Sequence, residues 1–300
     1  MRRENDATAP TKALFNWYPG HMAKALREIK QKLKMVDIVI EIRDARVPLA
    51  SGNRNMNESL GEKPKLILLN KANLSDPVMM GKWMDWFEQQ GEPYFFVDCF
   101  DKTALKKTIS IARRIVEKNR KACNPDYVET KTKNKLKMMI VGLPNTGKST
   151  IINQLANKNA TKVADKPGQT QIQQWIAIEN DVELLDTPGV MPPQIEKLEH
   201  ALWLSAIHAL PDDISGEEDT AVFIVKHLLG RKSKEFLERF KLESFDISVD
   251  EAFQQIATIR GCLKQKGLPD LDRVYKLILA EFRKGELGKT CFGLPPAKKS

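Results

Sequence analysis

Eight consecutive residues, Gly142-Leu-Pro-Asn-Thr-Gly147-Lys148-Ser149, carry the clearest chemistry in the chain. The glycines let successive backbone N–H groups curl around phosphate oxygens, and Lys148 reaches the β- and γ-phosphates of a nucleoside triphosphate. The Ser149 hydroxyl is placed for Mg²⁺, and the helix that opens here adds its positive end. Pro144, Asn145, Thr146, Gly147, Lys148, Ser149 and Thr150 are therefore the candidate phosphate contacts, with Lys148 the candidate catalytic cation. The apolar run 136–141 before the loop and the helical run 150–155 after it supply the strand–loop–helix setting. Further on, Asp186-Thr-Pro-Gly189 ends the apolar run 182–185, where a Mg²⁺-linked carboxylate and a γ-phosphate-sensing glycine are expected. Thr170 falls between the two motifs, where a second Mg²⁺ ligand is expected.

A base-reading motif stands earlier in the chain. Asn70-Lys71-Ala72-Asn73 follows the run 65–69, in the manner of an Asn-Lys-x-Asp loop that reads guanine. The usual Asp accepts two hydrogen bonds from guanine, whereas an amide turns one donor toward a donor. That mismatch costs about 1–3 kcal/mol and predicts a guanine preference reduced roughly 5- to 100-fold. Asp76 lies three residues on and would substitute only if the loop rearranged. Asp98-Cys99-Phe100 falls where a main-chain turn braces the base. A Ras-type GTPase has its phosphate loop first and its base motif late. The reversed order here predicts a circularly permuted GTPase.

Strands are expected over 36–42, 65–70, 94–98, 136–141, 173–178 and 182–186, with helices near 77–90 and 103–120. Their alternation predicts an α/β fold with a mostly parallel sheet and flanking helices. After residue 205 the strand pattern stops, and 217–230, 233–240, 249–264 and 270–284 show helical periodicity with glycine stops. The expected organisation is a permuted P-loop GTPase domain over 1–205, with an N-terminal arm over 1–20, and a small all-α domain over 206–300.

No apolar run approaches the roughly 20 residues of a membrane span, and the first residues lack a signal-peptide core. Cys99, Cys123, Cys262 and Cys291 have neither metal-ligand spacing nor disulfide density, which suits free thiols in a reducing cytosol. A cytoplasmic protein is expected. The net charge of +9 favours a polyanion partner, and the segment 102–137 is the most basic stretch.

These motifs in this order resemble the circularly permuted GTPases of the YlqF/RbgA type. Asn16-Trp-Tyr-Pro-Gly-His-Met-Ala-Lys24 is similar to that family's Trp-Phe-Pro-Gly-His-Met-x-Lys signature, and Asp44-Ala-Arg46-Val-Pro48 to its Asp-Ala-Arg-x-Pro. Arg260-Gly-Cys-Leu-Lys and the stretch 269–289 resemble its helical, RNA-binding tail. The resemblance implies a GTPase that cycles between GTP and GDP and acts late in assembly of the large ribosomal subunit. Its partners would be the subunit precursor and its rRNA, with no membrane, and the protein would be a monomer. Val190 stands where Ras-like enzymes carry a water-orienting Gln, and the resemblance nominates His21 for that work. It also nominates Asn145 as a ligand for K⁺, beside Mg²⁺.

Overall fold

The structure, a computed structural model, describes residues 20–53, 58–124, 135–156, 174–179, 181–191, 195 and 197–297. At its centre is β1 (Ile38–Asp44), buried at every position. Such a strand, covered on both faces, belongs inside a parallel sheet flanked by helices. Six strands form the sheet in the order β3-β2-β1-β4-β6-β5, where β2 is Lys65–Asn70, β3 Tyr94–Phe96, β4 Leu136–Gly142, β5 Gln174–Glu179 and β6 Val182–Asp186. All neighbours are parallel except the edge pair β5–β6. Register places Asp44 opposite Asn70 and Ile42 opposite Gly142, so the motif-bearing ends of β2, β1 and β4 lie side by side. The phosphate-loop strand is thus central in the sheet but fourth in the chain. That is the permuted order.

Helices cover both faces. Ile38, Ile40 and Ile42 of β1 join a core with Leu105, Ile109, Ala112 and Val116 of α3 (Lys102–Cys123) and with Ile151 and Ile152 of α4 (Lys148–Leu155). Val39, on the other face, joins a core with Ala25 and Ile29 of α1 (Gly20–Lys32). That second core continues into the C-terminal helices α5 (Leu198–Ala206), α7 (Glu217–Gly230), α8 (Lys234–Phe240), α9 (Val249–Ile259) and α10 (Leu271–Lys284). The single-turn α6 (Asp212–Ser215) links α5 to α7. On the second face, beside the Val39 side of β1, α2 (Pro77–Gln90) packs Trp83 and Phe87 over Ile67 and Leu69 of β2.

Several elements differ from expectation, β1 among them, which runs Ile38–Asp44 rather than 36–42. The helix expected over 249–264 ends at Ile259, because Gly261 at φ +65° turns the chain and Cys262 N–H bonds back to Ala257 C=O at 2.8 Å. Strand β3 stops at Phe96, two residues early. Helix α5 was not anticipated: it is largely apolar, and its length puts it among the ambiguous apolar runs.

The segment after α10 folds back across the sheet. Thr290 N–H donates to Leu74 C=O at 3.1 Å, and Phe292 N–H to Arg46 C=O at 2.7 Å. Cys291 packs with Trp83, Phe87 and Ala45.

Candidate nucleotide site

The phosphate loop is held from below by its own side chains. Lys148, 7% exposed, donates to Leu143 C=O at 2.7 Å, and Thr146 Oγ1 donates to the same oxygen at 3.0 Å. Asn145 sits at φ +56°, and its Nδ2 donates to His208 C=O at 2.8 Å, just beyond α5. Pro144 is buried, while Ser149 and Thr150 are half-buried in the first turn of α4.

Asp186 ends β6 beneath this loop. Both its carboxylate oxygens are buried without a protein hydrogen-bond partner. Burial pushes its pKa up to about 6, with Lys148 pulling the other way, and burial pushes Lys148 down to about 8 against the opposing pull of Asp186. A cation and an orphaned carboxylate facing one buried loop form an arrangement incomplete without a phosphate and a metal ion. Gly189 approaches closely: a β-carbon there would stand 2.9 Å from Pro144 N and 3.1 Å from Lys148 Nζ. Val190, fully buried, donates its N–H to Gly142 C=O at 3.2 Å and accepts from Asn53 Nδ2 at 3.0 Å. An apolar buried side chain cannot orient a water.

On the base side, Asn70 works as a bolt. Its Nδ2 donates to Thr146 C=O at 2.9 Å, and its Oδ1 accepts from Cys99 N–H at 3.1 Å, so one carboxamide ties three loops together. Lys71, at φ +60°, donates from Nζ to Asn145 C=O at 2.8 Å and pairs with Asp44 Oδ2 at 3.1 Å. Asn73 is exposed at the rim in the short turn Ala72–Leu74. Asp76 does not stand in for it. Its Oδ1 caps α2 by accepting from Val78 and Met79 N–H, and its Oδ2 pairs with Arg231. Asp98 turns its carboxylate onto Phe100 N–H at 2.9 Å, and the buried Cys99 thiol has its pKa raised by burial.

The loops therefore bring Asn70, Lys71, Cys99, Asn145, Thr146, Lys148, Asp186 and Gly189 together, with Asn73 at the edge. His21 lies in the first turn of α1 by its backbone, its side chain outside the described residues, as is Thr170. Sequence reasoning missed the support beneath. Arg46 is 1% exposed and grips Asp44 with two bonds of 2.9 and 2.8 Å. Burial would raise the Asp44 pKa, but the Arg46 and Lys71 cations outweigh it and hold the carboxyl well below the usual range. The Asp-Ala-Arg spacing was the one available signal, since a carboxylate and a guanidinium two residues apart can close on each other.

Central placement of a phosphate-loop strand that the chain reaches only after its base-reading strand defines the class: circularly permuted P-loop GTPases. Comparisons with known proteins agree. The family described as "50S ribosome-binding GTPase" matches residues 137–254, starting at β4, because the usual linear order begins with the phosphate loop. Ribosome biogenesis GTPase A of Priestia megaterium is 37% identical over 93% of this chain and 96% of its own length. The GNP-bound structure of YlqF from T. maritima is similar with a TM-score of 0.62 and 31% identity, over 91% of this chain and 98% of that one. The GDP-bound structure gives 0.63 and 29%, over 90% and 99%. The chain belongs to the ribosome biogenesis GTPase A family and is a GTP hydrolase. GTPases of this kind use Mg²⁺, and the partnerless carboxylate of Asp186 fits it.

Proposed function

We propose that this GTPase times a late step in assembly of the large ribosomal subunit in the cytoplasm, acting as a monomer on the precursor particle. The observation that carries the reading is the path from the γ-phosphate sensor to the C-terminal helices. Val190, next to Gly189, is buried in the same core as Phe236, Phe253 and Phe282, and Asn145 of the phosphate loop bonds the main chain at His208. A change at the phosphates therefore reaches the helical part through packed contacts rather than a linker. The organisation proposed is a GTPase domain over 1–205 and a helical domain over 206–300.

In hydrolysis the loop N–H groups hold the phosphates and Lys148 balances charge at the β/γ bridge. Ser149 and Asp186, with Thr170, would hold Mg²⁺, which neutralises phosphate charge. Because Val190 cannot position water, His21 takes that part. Asn145 would hold K⁺ near the same bridge through Oδ1, its Nδ2 being occupied by His208. The helical domain contacts rRNA, and the cleft between α9 and α10, about 470 Å³ and lined by Arg260, Cys262, Arg273, Lys276 and Leu277, is the surface we assign to it.

The test is sedimentation of tagged protein with ribosomal particles in GTP, GDP and a non-hydrolysable analogue, with turnover measured on the same particles. Enrichment on a large-subunit precursor in the GTP state, with stimulated hydrolysis lost in His21→Ala, is expected. Equal recovery on all particles in every nucleotide state would sink the reading.

A further inference from the structure

Helix α3 lies on the sheet face opposite the C-terminal helices. Leu105, Ile109, Ala112 and Val116 pack under β1 on the Ile38–Ile42 side, whereas the helical domain shares the core of Val39. The helix carries eight basic residues against Glu117 alone, most of the chain's net charge of +9. The region from 206 to 300, by contrast, carries sixteen basic and fifteen acidic side chains and is close to neutral. The excess charge of this protein therefore sits on α3 and not on the helices assigned to rRNA.

Arg113 and Arg120 are spent inside the molecule, on Asp181 and Asp37. Lys102, Lys106, Lys107, Arg114, Lys118 and Lys121 are all exposed, and none has an ion-pair partner among the described residues. At helical spacing they fall on one side, along about 28 Å of helix axis. The arrangement works against the helix itself. Lys102–Lys106 and Arg114–Lys118 are like-charge i,i+4 pairs, each costing about 0.2–0.5 kcal/mol, and Lys102 opposes the positive helix N-terminus. A merely solvated face would interleave acids and avoid both costs.

We propose that the outer face of α3 is a second RNA-docking surface, reading phosphate charge along the backbone of structured RNA. Together with the α9–α10 cleft it lets the protein engage RNA from two opposite sides. The stripe alone specifies a polyanion, and the choice of RNA rests on the ribosomal reading above. An anionic membrane is disfavoured because a surface-bound helix inserts its apolar face, and that face is buried here.

The test uses the full chain and a short labelled RNA duplex, with affinity followed over a range of KCl concentrations. In the variant Lys106→Glu/Lys107→Glu/Arg114→Glu/Lys118→Glu, affinity should fall at least tenfold at low salt. The slope of log affinity against log salt should also drop by about 3–4, one contact per removed cation. Unchanged basal GTP turnover and melting temperature show that the variant is folded, and the milder Lys→Gln and Arg→Gln set gives the same direction. An affinity and slope equal to wild type would overturn the proposal. So would loss confined to Arg273→Glu/Lys276→Glu, which leaves the rRNA reading standing and removes only the second surface. Loss of binding to phosphatidylserine vesicles with RNA binding intact would assign the stripe to membranes and overturn it too.

Discussion

Asn70 and Gly147 share one space: a β-carbon built on Gly147 would run into Asn70 Nδ2. Gly147 also stands at φ +97°, outside the range that side-chain-bearing residues adopt readily. The bolt between the base loop and the phosphate loop thus depends on a missing side chain 77 residues further along the chain. Gly147→Ala is expected to weaken nucleotide binding at least tenfold and to lower stability by about 2–4 kcal/mol. Asn70→Ser in the same chain removes the clash and should recover part of the stability, leaving the strained φ and the loss of the Asn70 bonds to Thr146 and Cys99. Fluorescent GDP titration and thermal melting of both variants check this, and no recovery in the double variant would separate the two residues.

The buried pair of Asp44 and Arg46 gives a second prediction. Removing one partner leaves the other charged and enclosed, which costs about 3–5 kcal/mol. Asp44→Asn should therefore shift the urea midpoint strongly and also loosen Lys71, which pairs with the same carboxylate. A variant as stable as wild type would show that water reaches Arg46.

Guanine recognition can be measured directly at Asn73. A carboxylate there accepts both guanine donors, so Asn73→Asp should tighten GDP and GTP about 5- to 100-fold, corresponding to roughly 1–3 kcal/mol, while ATP changes little. Since Asp76 is committed to the α2 cap and Arg231, its carboxylate does not mask the effect. Equal guanine affinity in both proteins would mean that the base loop closes differently around its ligand.

His227 supplies a pH prediction. Burial pushes its pKa down to about 4, with Arg231 adding to the shift, and its Nε2 lies 2.7 Å from Thr290 Oγ1. The folded value lies below the ordinary 6.5, so the native state resists protonation. The contribution is intact above pH 6.5 and is lost as pH falls through 4. That loss is about 2–3 kcal/mol after allowing for partial exposure. His227→Gln, which keeps a partner for Thr290, should lose that much less stability than wild type between neutral pH and about pH 4. Parallel acid-unfolding curves for the two proteins would refute it.

Local chemistry was legible and distant packing was not. The phosphate loop, Asp186-Thr-Pro-Gly189 and the strand runs declare themselves within a few residues, because each depends on neighbours in sequence. The base motif was equally visible, and its position ahead of Gly142 was enough to predict the permuted sheet. What Asn70 does with Thr146 and Cys99, and Asp44 with Lys71, depends on residues brought together by the parallel register of β1, β2 and β4. No periodicity encodes that. Helix α5 escaped for another reason: a largely apolar segment gives little amphipathic contrast, although its burial between α7 and α10 is what makes it a helix.

The segment that returns from α10 to bond Leu74 and Arg46 sets an order for biosynthesis. Arg46 leaves the exit tunnel of a translating ribosome 246 residues before Phe292, its main-chain partner. A nascent chain therefore owns a complete phosphate loop long before it owns the clasp that steadies the base loop.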